Sequence, residues 1–252
     1  MALTQEQLDF FQRDGFLSYG PILTEEHVAL LREEYDREIE KARKEETGRV
    51  LRATDSSGNL IEADKQQVYQ IMQLGERNMQ FRRLWYESAI LDVVADLIGP
   101  NIQLYHDQAL FKPPHTGGPV PWHQDNAYWK CRPANLVSCW LTLDDVRREN
   151  GAMQLIPGSH LAPADFTNHA EDHKDALFEI EGVDESKAVV VDLLAGGCLF
   201  HHCQTFHSTQ PNTTEDQRRA FAIHFMVPGT VRGDGEAMPI SFQRPLLRAS
   251  FS

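Results

Sequence analysis

Residues 121–129 read PWHQDNAYW, with a histidine and an aspartate two positions apart among aromatic residues. In an extended strand the side chains at i and i+2 leave the same face. His123 and Asp125 can therefore point at one ion, with Gln124 turned away. A second histidine would complete a set of two imidazoles and one carboxylate. Such a set leaves coordination positions open and suits oxygen-dependent ferrous chemistry; with zinc the same donors suit hydrolysis. An H-x-D pair alone recurs by chance, so the third donor decides the matter. Residues 200–225, FHHCQTFHSTQPNTTEDQRRAFAIHF, offer His201, His202, His207 and His224.

The end of that segment can be read by parity. Phe221, Ile223 and Phe225 share one face of a strand; Ala220, Ala222 and His224 share the other, in phase with Arg218. The bulky face suits packing beneath helices. The other face, with small side chains and one guanidinium, suits an interior that holds a small anion. Arg presents a planar fork that matches a carboxylate, and a buried charge left unpaired is costly.

These residues need a scaffold. The chain of 252 residues fits one large domain or two small ones. Residues 1–99 read mostly helical. Thr4 and Gln7 form a capping box before a helix that Gly15 stops, and 16–22 looks extended. Thr24 caps a long helix whose apolar stripe is Val28, Leu31, Tyr35 and Ile39. Residues 53–60 are a turn-rich loop, and 81–99 read as one amphipathic helix ending at Gly99. From residue 100 to about 230 the texture changes to short apolar runs separated by Pro, Gly and Asn, the pattern of a β-sandwich or barrel. Residues 161–187, acidic and aperiodic, form an insertion in that β core. The expectation is a single domain, a β-sandwich with helices packed outside it.

The net charge of −13 argues against nucleic acid or an anionic membrane as the main partner. No run is long and apolar enough to span a bilayer, and the first residues lack the apolar core of a secretory signal. The four cysteines, Cys131, Cys139, Cys198 and Cys203, form no C-x-x-C pair. Buried or free thiols in a reducing, cytoplasmic setting are expected.

The chain resembles the phytanoyl-CoA dioxygenase family of Fe(II)/2-oxoglutarate oxygenases, which includes ectoine hydroxylase. The resemblance is carried by WHQD at 122–125, ENGAMQLIPGSH at 149–160, HSTQPN at 207–212 with Arg218 eleven positions after His207, the opening DFFQRDGF, and KPP at 112–114. It spans roughly residues 5–228. It implies a mainly β fold with flanking helices, a double-stranded β-helix of the jelly-roll, cupin-like kind. It implies His123, Asp125 and His207 as ligands of Fe(II), and Arg218 as partner of the distal carboxylate of the co-substrate 2-oxoglutarate, supported by Thr209. Trp140 aligns with an aromatic residue of the co-substrate pocket, and Gln108 and Gln70 with co-substrate contacts. The implied activity uses O₂ to hydroxylate a small-molecule substrate while 2-oxoglutarate becomes succinate and CO₂. Because Asp125 is present, hydroxylation or a related oxidation is favoured over halogenation.

Tyr128, Trp129 and Arg132 follow the H-x-D and are candidates for substrate contact. His201, His202 and His224 read as structural histidines, His160 as a turn residue, and Asn150-Gly151 as a turn between strands. His106 is read as either a packing residue or a cavity residue. Two rival functions remain on the residues alone: a zinc or manganese hydrolase or isomerase on a cupin barrel, and a non-catalytic binding module.

Overall fold

In the first helix, α1 (Gln5–Asp14), the Thr4 hydroxyl accepts from the Gln7 N–H and the Gln7 side chain accepts from the Thr4 N–H. Gly15 closes the helix at φ +81°, a conformation that costs glycine little because it has no Cβ. Strand β1 (Phe16–Tyr19) is shorter than expected and stops before Gly20–Pro21, where proline has no N–H to donate to a ladder. Thr24 then accepts from the His27 N–H to open α2 (Glu25–Glu45), whose buried stripe is Val28, Leu31, Tyr35, Ile39 and Ala42. This computed structural model describes residues 2–45, 49–51, 68–115, 117–162, 166–168, 178–233 and 244–250. The loop expected at 53–60 lies outside the described residues.

Strands β2 (Arg49–Leu51) and β3 (Val68–Met72) pair with each other ahead of three helices: α3 (Leu74–Arg77), α4 (Met79–Leu84) and α5 (Ser88–Ile98). The single helix expected over 81–99 is thus two helices. The Trp85 N–H turns back to the Arg82 carbonyl, and Glu87 is extended at ψ 117°. Trp85 is buried against Gly75, where an added Cβ would lie 2.3 Å from the indole. Burying that large ring wins over helix continuity.

The β core follows: β4 (Ile102–Lys112), β5 (Val120–His123), the short helix α6 (Asp125–Trp129), β6 (Cys131–Arg132), β7 (Leu136–Thr142), β8 (Met153–Leu155), β9 (Phe166–Asn168), β10 (Phe178–Ile180), β11 (Val189–Val191), β12 (Cys198–His202), β13 (His207–Thr209) and β14 (Arg218–Met226). The larger sheet runs β1-β12-β7-β14-β4-β3-β2 and the smaller β11-β8-β13-β5. The insertion at 161–187 contains the antiparallel pair β9–β10; its residues 163–165 and 169–177 lie outside the described ones. The fold is mainly β with flanking helices in a jelly-roll arrangement. Among the described residues no strand pairing joins the two sheets, so it is an open sandwich and not a closed barrel.

The faces fall as parity predicts. Phe221, Ile223 and Phe225 pack with Leu31, Tyr35, Phe81 and Leu84 of the helices. Ala220, Ala222, Trp140 and Leu199 pack inward against Met153, Leu155 and Val191 of the smaller sheet. A fully buried side chain of this size contributes about 1.5–3 kcal/mol, so the helices hold β14 firmly from behind. Arg219 adds an ion pair. Its Nε and Nη2 donate to the two Asp36 carboxylate oxygens at 2.8 and 2.9 Å, and its Nη1 to Asp144 at 2.8 Å. All four cysteines are free and buried. Among the described residues no helix is long and apolar enough to cross a membrane.

Asp107 points outward from β4 into this helical layer and accepts from the Gly75 N–H at 3.1 Å. Burial pushes its carboxyl up to about 7. The folded protein therefore holds a proton that the unfolded chain releases near pH 4. Stability contributed by this group is lost as pH rises from about 4 through 7. Denaturant titrations at pH 5, 6, 7 and 8 are expected to show this decline in the wild type and a shallower one in Asp107→Asn. Identical pH slopes for the two proteins would refute the assignment.

Candidate active site

His123 ends β5 and His207 begins β13, directly opposite each other in the ladder. Their rings lie 4.1 Å apart, centroid to centroid. Asp125 does not continue the strand. The chain passes through Gln124, extended at φ −119° and ψ 136°, and enters α6 at Asp125. The expected strand alternation across H-x-D is therefore replaced by a strand-to-helix turn. The turn still brings the carboxylate back: one donor atom from each of His123, Asp125 and His207 lies within 4.8 Å of the others.

Backbone carbonyls set both imidazoles. His123 Nδ1 is 2.8 Å from the Pro121 carbonyl and His207 Nδ1 is 2.9 Å from that of Thr205. Each Nδ1 therefore carries the proton, and each Nε2 lone pair is left for a ligand. Burial lowers both histidines to about 4, which keeps them neutral at neutral pH. Burial raises Asp125 to about 6, opposed by His123 and by a hydrogen bond from Ser138, so Asp125 is ionised at neutral pH. Two neutral nitrogens and one negative oxygen in a buried site are a donor set for a divalent transition metal.

The loop carrying His207 is anchored from the far end of the chain. The Gly15 carbonyl accepts from the His202 N–H at 2.9 Å and from the Thr205 hydroxyl at 2.8 Å. A Cβ at Gly15 would lie 2.4 Å from His160 Nδ1 and 2.6 Å from the Thr205 hydroxyl, so this approach requires glycine. His160 holds the same junction, with Nε2 3.2 Å from the Gln12 carbonyl.

The larger sheet contributes a polar row beneath Asp125. His106, His224, Ser138 and His201 are cross-strand neighbours on β4, β14, β7 and β12. The Ser138 hydroxyl donates to Asp125 Oδ2 at 2.9 Å, and His201 Nε2 faces the same oxygen at 3.6 Å. In the sequence His201 and His224 have the settings of structural histidines, and Ser138 carries no signal. The phase shared by His224 and Arg218 was the available signal, but cross-strand register is needed to see the row.

A second polar group lies further along β14, around Arg218. Arg218 is buried; its Nη1 donates to the Leu110 carbonyl at 3.0 Å, and its guanidinium lies 5.5 Å from the Trp140 ring centroid. Among the described residues its Nε and the buried Thr209 hydroxyl have no hydrogen-bond partner. Among the described residues no carboxylate lies within ion-pair distance of Arg218, in contrast to Arg219. Nearby Lys112 is buried and held by the Gly118 and Gln210 carbonyls at 2.6 and 2.5 Å. Gln70 and Gln108 hydrogen-bond to each other, and Gln108 Nε2 reaches His224 Nε2 at 3.0 Å.

The three residues after the H-x-D separate. Tyr128 is partly exposed with its ring edge-on to His123 at 6.0 Å. Trp129 is buried against Tyr105, His224 and His106 at 4.9, 4.8 and 5.6 Å, which is a packing position. Arg132 is exposed and lines a cavity of about 580 Å³ with Asn126, Lys130 and Gln204.

A model of the phytanoyl-CoA dioxygenase family matches residues 11–220. The chain belongs to that family. Human peroxisomal phytanoyl-CoA dioxygenase is 28% identical over 232 residues, covering 89% of this chain and 68% of that one. Ectoine dioxygenase of Halomonas elongata is 26% identical, covering 88% and 70%. Among solved structures, the non-haem α-ketoglutarate-dependent carbocyclase SnoK shares the fold, with a TM-score of 0.75 and 24% identity over 97% of this chain and 96% of that one. EvdO2 from Micromonospora carbonacea var. aurantiaca, complexed with 2-oxoglutarate, has a TM-score of 0.67 and 26% identity over 94% of this chain and 95% of that one.

Proposed function

We propose that the protein is an Fe(II)- and 2-oxoglutarate-dependent dioxygenase that hydroxylates a small-molecule substrate. Family membership supports the reaction class, and one observation favours it over the rivals: a buried guanidinium with no carboxylate beside it and its Nε unpaired among the described residues, and a buried hydroxyl likewise unpaired, on the same interior as two neutral histidines and a carboxylate. A zinc or manganese hydrolase has no need of that guanidinium. A binding module has no need of the ligand set.

His123, Asp125 and His207 would hold the metal through three donors, leaving its other positions free. Arg218 would take the distal carboxylate of 2-oxoglutarate, with Thr209 donating to it and Trp140 flanking it. The chemistry supplied by the bound iron and co-substrate is oxidation of a C–H bond coupled to decarboxylation to succinate and CO₂. The chain's own contribution is to fix the donors, orient the co-substrate and keep water out of a buried site. Tyr128, beside His123 and partly exposed, is the candidate substrate contact that this arrangement favours. The free, buried thiols fit a cytoplasmic location, which cell fractionation would check.

The test is spectroscopic and chemical. Anaerobic addition of Fe(II) and 2-oxoglutarate to the apoprotein is expected to give a weak visible charge-transfer band, and admission of O₂ to give succinate. A silent titration with no succinate excludes the dioxygenase reading. A metabolite screen for substrate-stimulated succinate then identifies the substrate.

A further inference from the structure

The polar row beneath Asp125 is directional. Gln70 Nε2 donates to Gln108 Oε1, so the Gln108 amide nitrogen faces away from Gln70, and it lies 3.0 Å from His224 Nε2. An amide nitrogen only donates, so His224 Nε2 must accept and its proton must sit on Nδ1. That Nδ1 is 2.7 Å from the Ser138 hydroxyl. Ser138 accepts there and sends its own hydrogen to Asp125 Oδ2 at 2.9 Å. Every hydrogen in this chain of five residues therefore points the same way, toward the one negative group. Ser138 and His224 are both buried, and solvent does not substitute for either.

The chain treats the two Asp125 oxygens differently. Oδ2 is occupied by Ser138, with His201 Nε2 3.6 Å from the same oxygen. Oδ1 faces His207 Nε2 at 3.7 Å, on the side of the ligand set. A carboxylate held this way offers a metal one oxygen. A carboxylate free to turn can offer both and fill a position that the chemistry needs open. Hydrogen-bond partners behind a ligand commonly set its orientation and contribute to metal affinity.

Resting on the proposed metal role of Asp125, we propose that His224, acting through Ser138, is a positioning residue that holds Asp125 as a one-oxygen ligand. The ring nitrogens of His224 are engaged by Gln108 and Ser138. Its part is to aim the serine hydroxyl, with its own tautomer set by Gln108.

The experiment is Co(II) titration of the apoprotein without 2-oxoglutarate, following the dissociation constant and the visible ligand-field band. Ser138→Ala and His224→Ala are expected to weaken Co(II) binding by about 10–100-fold and to alter the band as the coordination number changes. His224→Asn keeps a donor at the δ position and is expected to restore the wild-type constant and band. His224→Gln keeps only the ε position and is expected not to. If His224→Ala loses its circular-dichroism signature, Ser138→Ala, a far smaller change, decides alone. Wild-type affinity and band in a folded Ser138→Ala overturn the positioning role, as does equal behaviour of the Asn and Gln variants. A wild-type protein that takes up no Co(II) overturns the metal site itself, so the two failures are distinguishable.

Discussion

Replacing Arg218 with methionine is expected to make the protein more stable and inactive at once. The guanidinium is buried, Leu110 supplies a backbone acceptor, and its Nε has no partner. Burial lowers its pKa to about 10, so it stays charged at neutral pH. Holding a charge out of water without a carboxylate costs several kcal/mol. Methionine is unbranched and fills irregular apolar space, and the Trp140 ring is already there to receive it. The apoprotein variant should gain on the order of 1–3 kcal/mol in urea or guanidinium titrations. The wild type should gain from the ligand instead, by about 2.7 kcal/mol at a 2-oxoglutarate concentration one hundred times its dissociation constant. The variant should show no such gain and form no succinate. A destabilised Arg218→Met that still responds to 2-oxoglutarate would remove the anion role. Arg218→Lys separates charge from shape, since lysine keeps the charge without the planar fork.

The second large effect is expected at His207. Its backbone pairs with β5 on one side and β8 on the other, so His207→Ala leaves the ladder intact and removes one imidazole. Two donors cannot hold the ion as three do. Metal affinity should fall by more than the roughly 10–100-fold that partners behind a ligand contribute, and succinate formation should drop to background. Metal analysis after dialysis, with circular dichroism as a fold control, measures this. Full metal content together with undiminished succinate would sink the ligand assignment.

Much of this site was legible in the sequence because its signals are local. His123 and Asp125 are two residues apart, and Thr209 is two from His207. Strand parity placed Arg218, Ala220, Ala222 and His224 on one face, as they are found. The failures share a physical origin. The break in the helix expected over 81–99 comes from Trp85 burying itself against Gly75, a contact fixed by tertiary packing and invisible to periodicity. Asp125 enters a helix where an extended strand is expected, and the turn is held by contacts from far along the chain: Gln124 Nε2 donates to the Gln204 carbonyl and the Asn126 N–H to that of Cys203. Ser138 has no signal in the sequence, and His201 reads there only as a structural histidine, because the cross-strand register that puts Ser138 between His201 and His224 is not a property of any one segment. Gln70 and Gln108, expected as co-substrate contacts, also sit on the chain of hydrogen bonds that ends at Asp125.

The hold that Gly15 has on Thr205 links the amino terminus to the candidate site. Thr205 orients His207 with its carbonyl while its own hydroxyl is tied to Gly15. A version trimmed to begin after Tyr19 would keep every proposed ligand, yet it would cut this tether and expose the edge of β12. Such a protein should purify with depleted iron. Anyone choosing expression boundaries, or fusing a tag close to α1, is therefore also adjusting the grip of a centre nearly two hundred residues downstream in the chain.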